Sequence, residues 1–138
     1  MASDEIAASG MLSHLSFGVR DLDRAAAFYE RILAPLGYRR LWASRDGAGF
    51  GRPGAADQLA LFARPRDATP PGPGFHLAFT APSRAAVDAF HAAAMEAGGR
   101  DEGAPGLRPR YGAAYYAAFV IDSDGHKLEA VHQGAGPE

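Results

Sequence analysis

The chain repeats itself once, at a constant offset of 62 positions, and this limits its architecture more than any other feature. His14-Leu15-Ser16-Phe17 returns as His76-Leu77-Ala78-Phe79. The capping residues Asp21 and Ser83, the pairs Ala27-Phe28 and Ala89-Phe90, and the glycines Gly37 and Gly99 keep the same spacing. Alanine-rich helices resemble one another in any protein, but a strand, a cap, an aromatic and a terminating glycine in one common order point to a duplicated supersecondary unit. In 138 residues two such units have room to share one core, and little else fits beside them.

Each unit opens on alternation, with Leu15, Phe17 and Val19 on one face of a strand and His14, Ser16 and Gly18 on the other. A helix is predicted from Leu22 to Leu33, its apolar stripe made by Ala25, Phe28, Ile32 and Leu33, and its end set by Pro35 and Gly37. The second helix is predicted from Arg84 to Ala97, with Val87, Phe90, Ala94 and Met95 inward and Gly98-Gly99 as the exit. Strands are expected at Tyr38–Trp42, near Phe50 after a turn at Asp46-Gly47, and at Gln58–Phe62. The proline-rich stretch 64–74 reads as a linker. In the second unit the strand near Arg100 is ill defined, a Pro/Gly-rich loop is expected over 103–112, and a hairpin joins Tyr115–Ile121 to Lys127–His132 through Asp122-Ser123-Asp124-Gly125. The fold class is therefore α+β: two βαβββ modules, 11–63 and 75–133, forming a curved mixed sheet around a central cup, with helices on the outer face.

Composition removes several functions. Fourteen Lys and Arg stand against sixteen Asp and Glu, a net charge of −2, with no basic tract to follow a phosphate backbone, so nucleic acid is not an expected partner. There is no cysteine, which removes thiolate chemistry and leaves any metal to His, Asp, Glu or neutral oxygens. The first ten residues lack a basic segment followed by an apolar one, and no apolar run approaches a membrane span, so a cytoplasmic protein is expected.

Glu129 interrupts an apolar strand. Alternation groups it with Lys127 and Val131, opposite Leu128 and Ala130. With the apolar faces packed under helices, His14, His76 and Glu129 face a common cup, and two imidazole nitrogens with one carboxylate oxygen form a donor set for a divalent ion that keeps open positions. Either histidine alone reads as an ordinary surface residue, and Glu129 alone as a solvent-facing one; equivalent positions in a repeat favour the metal site. His91 and His132 rank lower, and His126, beside the Asp-Gly turn, is expected to play a local polar role.

These residues resemble the vicinal oxygen chelate superfamily of glyoxalases, bleomycin-resistance proteins, extradiol dioxygenases and fosfomycin-resistance enzymes. The likeness spans about Leu12 to Gln133. It is carried by His14-Leu15-Ser16-Phe17 with Arg24 to Tyr29, by His76-Leu77-Ala78-Phe79, and by the run from Phe119 to Glu129 that includes Asp-Gly-His-Lys-Leu-Glu. The resemblance implies metal ligands at His14, His76 and Glu129, with Fe2+ or Mn2+ favoured over Zn2+ or Ni2+, and Glu129 also as a proton carrier. It implies substrate contacts at Arg110, Tyr111, Tyr115 and Phe119 and a homodimer in which modules pair across chains. The implied activity is metal-dependent, glyoxalase- or dioxygenase-like, on a small molecule that chelates through neighbouring oxygens. The alternatives are metal-free binding of a drug or metabolite, with Trp42, Phe50 and Tyr115 as stacking surfaces, or thiol transfer of the fosfomycin-resistance type. Two departures matter: Ala60 stands where glyoxalase I has a fourth ligand, and Phe119 where extradiol dioxygenases have a tyrosine.

Overall fold

The alternating tracts fold as strands and the alanine-rich tracts as helices, in the order the repeat requires. The computed structural model describes residues 10–134; the N-terminal stretch read above lies, apart from Gly10, outside them. In the first module β1 (Leu15–Val19) leads to α1 (Leu22–Leu33), then β2 (Arg39–Ala43), β3 (Gly47–Gly51) and β4 (Leu59–Ala63). Asp21 caps α1 by accepting from the Arg24 backbone N–H at 3.2 Å, satisfying one of the amide groups a helix start leaves unpaired. Pro35 lies in the 3-10 turn Ala34–Leu36 that follows, and Gly37, at φ 92°, takes the left-handed conformation that turns the chain toward β2.

The second module repeats this plan: β5 (Leu77–Thr80), α2 (Arg84–Glu96), β6 (Arg100–Leu107), β7 (Tyr116–Ile121) and β8 (Lys127–His132). Ser83 caps α2 through the Ala86 N–H at 3.0 Å. The sheets are ordered β1-β4-β3-β2 and β5-β8-β7-β6, each with one parallel pair and two antiparallel pairs. They remain two sheets of four strands and do not close into one.

Val19, Phe28, Tyr29 and Ile32 of the first module form one buried cluster with Val87, Phe90, Leu128 and Ala130 of the second. The two helices touch one another as well as their own sheets, so each apolar stripe has a sheet on one flank and the other module on the next. Side chains this size each stabilise the fold by roughly 1.5–3 kcal/mol through burial. The core requires both modules.

One expectation fails. Residues 103–107, read as loop, continue β6, which pairs with β7 across register shifts between Asp101 and Gly103 and between Gly103 and Gly106. Pro105 is tolerated because β6 is an edge strand, where a missing N–H leaves no ladder partner unsatisfied, and the bulges absorb the irregular spacing. Only Pro109–Tyr111, a 3-10 turn, and the residues around it remain loop.

Candidate functional site

Parallel pairing of β5 with β8 sets Ala78 opposite Glu129, and antiparallel pairing of β7 with β8 sets Phe119 on its other side. Since Leu128 and Ala130 enter the core, Glu129 projects from the face away from the helices. It is nevertheless only 1% exposed. His76, one residue ahead of β5, donates from Nε2 to Glu129 Oε1 at 2.8 Å, and the Tyr115 hydroxyl donates to Oε2 at 2.5 Å. Both carboxylate oxygens are thus paired, which is what a buried charge requires.

His76 keeps 43% of its side chain exposed, so the pair is reached from one flank. The Phe119 ring lies 6.1 Å from the imidazole, and the Tyr111 ring 5.4 Å from that of Tyr115. Burial first, then the neighbouring Glu129, push the Tyr115 phenol up to about 12. Tyr115 therefore stays a hydrogen-bond donor across the physiological range. Arg110 is seated over the Tyr111 ring at 5.4 Å, outside this set of contacts.

The first module shows the same face with a different filling. Ser16 pairs with Ala60, and Gly49 pairs with Ala60 from the other side, so Ala60 occupies the position of Glu129. His14, equivalent to His76, is exposed and meets Ser13 Oγ at 2.9 Å. It lines a cleft of about 210 Å³ between β1 and β5, together with Gln58, Leu77 and Thr80. Trp42 covers Gly49, packs 6.1 Å from Phe62, and donates through Nε1 to Asp57 at 3.2 Å. The structure thus unites His76 and Glu129 in one chain but does not add His14 to them: among the described residues no three His, Asp or Glu side chains are grouped to hold a cation.

Three further features belong to the second module. Arg108 and Lys127 both lie over the Phe119 ring, at 5.5 and 5.3 Å. Lys127 was legible as a neighbour of Glu129 on one strand face; Arg108 was hidden by the misread β6. Third, the turn before β8 is a buried junction. Asp122 Oδ2 accepts from the Tyr29 hydroxyl at 2.5 Å and from His126 Nδ1 at 3.0 Å, and the fully buried His126 ring stacks on Phe17 at 4.0 Å. His126 does play its local polar role, and it also joins the modules.

No helix among the described residues is long and apolar enough to cross a membrane. A family model described as the Glyoxalase/Bleomycin resistance protein/Dioxygenase superfamily matches residues 11–130. A glyoxalase/bleomycin resistance protein from Albidiferax ferrireducens T118 is 34% identical over 91% of this chain and 100% of its own, with a TM-score of 0.79. At 20% identity, a glyoxalase/bleomycin resistance protein/dioxygenase family enzyme from Burkholderia phytofirmans PsJN covers 91% of this chain and 100% of its own at a TM-score of 0.68. The fosfomycin resistance protein FosX of Listeria monocytogenes, 19% identical, covers 92% and 95% at 0.67; these last two likenesses show the fold alone. Comparison with curated proteins returns no match.

Proposed function

The chain belongs to the glyoxalase/bleomycin resistance protein/dioxygenase superfamily, and from that premise we propose that it is a metal-dependent enzyme acting on a small molecule with two neighbouring oxygens. The observation that carries this reading is the His76–Glu129 pair: an imidazole nitrogen and a carboxylate oxygen 2.8 Å apart, at the head of β5 and on the adjacent β8, with the histidine 43% exposed and the glutamate buried. Such a pair is a suitable donor set for a divalent ion, which would replace the proton now shared between them. One chain supplies two donors. We therefore place the third ligand, His14, in trans, so that the partner's His14 completes the site in a cytoplasmic homodimer.

Held by His76, Glu129 and the partner's His14, Fe2+ or Mn2+ would supply Lewis-acid stabilisation of negative charge on the substrate. This chain's own groups do the rest. Tyr115 holds Glu129 Oε2 and so fixes which oxygen faces His76. Phe119 and Tyr111 offer apolar surface to the substrate's body, and Glu129, freed from one hydrogen bond, is the nearest base for proton transfer. Ala60 leaves the first module without a carboxylate to serve as a fourth ligand.

Metal analysis of the purified protein tests the reading. One divalent ion per chain is expected, lost in Glu129→Gln and in His76→Ala. Stoichiometric metal that survives Glu129→Gln would overturn it.

A further inference from the structure

Within the site just proposed, and resting on that reading, we propose that Lys127 is the specificity-determining residue and that the substrate is an anion, a carboxylate attached to an aromatic or unsaturated body. Lys127 stands two residues before Glu129 on the same strand face, directly across from Ile121, and its ammonium lies 5.3 Å from the centre of the Phe119 ring. The ring's electron-rich face holds the ammonium in place without consuming its N–H donors. Among the described residues Lys127 has no carboxylate partner and no hydrogen-bond acceptor. Apart from the contact with the ring, its three N–H donors have no partner among the described residues, and Lys127 shares a strand face with Glu129.

Arg108 reinforces this charge differently. Its guanidinium is fastened to the backbone carbonyls of Gly106 at 2.9 Å and Ala104 at 2.8 Å, and lies over the same ring at 5.5 Å. One cation is anchored to backbone carbonyls and the other has no hydrogen-bond partner among the described residues, and the ring they share lies 6.1 Å from the His76 imidazole. Together they outweigh the single negative charge of Glu129, so an anion is attracted to this face where a carboxylate alone would repel it. The first module, with Gln58 in the place of Lys127 and Ala60 in the place of Glu129, has neither charge.

Salicylate and its neutral analogue salicylamide share a ring and two neighbouring oxygens and differ by the charge. Calorimetric titration of the intact protein is expected to show salicylate bound about tenfold more tightly than salicylamide, the scale of one charge-assisted hydrogen bond. Lys127→Gln is expected to abolish that preference, Lys127→Arg to keep most of it, and rising salt to weaken salicylate selectively. Equal affinity for the two probes, undiminished preference in Lys127→Gln, or no binding of salicylate at millimolar concentration would overturn the proposal. Metal content measured on the same samples separates this from the preceding reading: Lys127→Gln should retain its metal even where anion selectivity disappears.

Discussion

Tyr115 donates to a carboxylate that also accepts from His76, and each of these side chains depends on the other two. The phenol, raised by burial and by Glu129 to about 12, should form phenolate only well above the ordinary tyrosine value. Ultraviolet titration of wild type against Tyr115→Phe should assign it, and Glu129→Gln should bring it down; a Tyr115 phenolate forming near the ordinary tyrosine value of about 10 would contradict the contact. Asp122 follows the opposite logic. Burial alone would raise its carboxyl, but hydrogen bonds from His126 and Tyr29 outweigh burial and hold it below the usual aspartate value. A group depressed in the folded state contributes stability above its unfolded pKa, about 3.9, and that contribution is lost as the pH falls through the folded value. Tyr29→Phe should therefore destabilise the protein by about 1–3 kcal/mol near neutrality. Urea unfolding across acid pH should show a shallower loss of stability for that variant than for wild type.

At the scale of elements, the repeat made β1, both helices, β4, β7 and β8 readable, because alternation, caps and terminating glycines are local signals. The end of β6 was not readable. Gly103-Ala104-Pro105-Gly106 has the composition of a loop, and its strand geometry comes from pairing with β7, a long-range cause that no local pattern encodes. The site divides the same way. His76 and Glu129 share a polar strand side that alternation made legible, and a hydrogen bond joins them; which chain's His14 faces them was left open by the sequence, because strand periodicity does not say which chain supplies the neighbouring surface. Gly49 illustrates a further hidden constraint: an added methyl group would fall inside the Trp42 indole, against Nε1. Gly49→Ala should expel the ring, break its bond to Asp57 and destabilise the module by about 1–3 kcal/mol. Trp42 is the sole tryptophan, so its fluorescence should shift to the red; an unchanged emission spectrum would show that the ring does not lie where described.

For the whole molecule, the decisive question is whether His14 acts beside its own chain's second module or beside a partner's. Mixing His14→Ala protein with Glu129→Ala protein under conditions that exchange subunits answers it. Neither variant alone has a complete ligand set, but a mixed dimer holds one intact set and one doubly defective set. Random pairing should then restore about a quarter of the wild-type metal content, whereas a site confined to one chain restores none. The matched registers of Ser16 with Ala60 and Ala78 with Glu129 carry one more implication. Two halves with the same strand order and equivalent registers have been furnished unequally, one as a polar workplace and one as an aromatic wall. A glutamate written in at position 60 would give His14 the acidic neighbour that His76 already has, so the distance from bare half to furnished half is measured here in single codons rather than in folds.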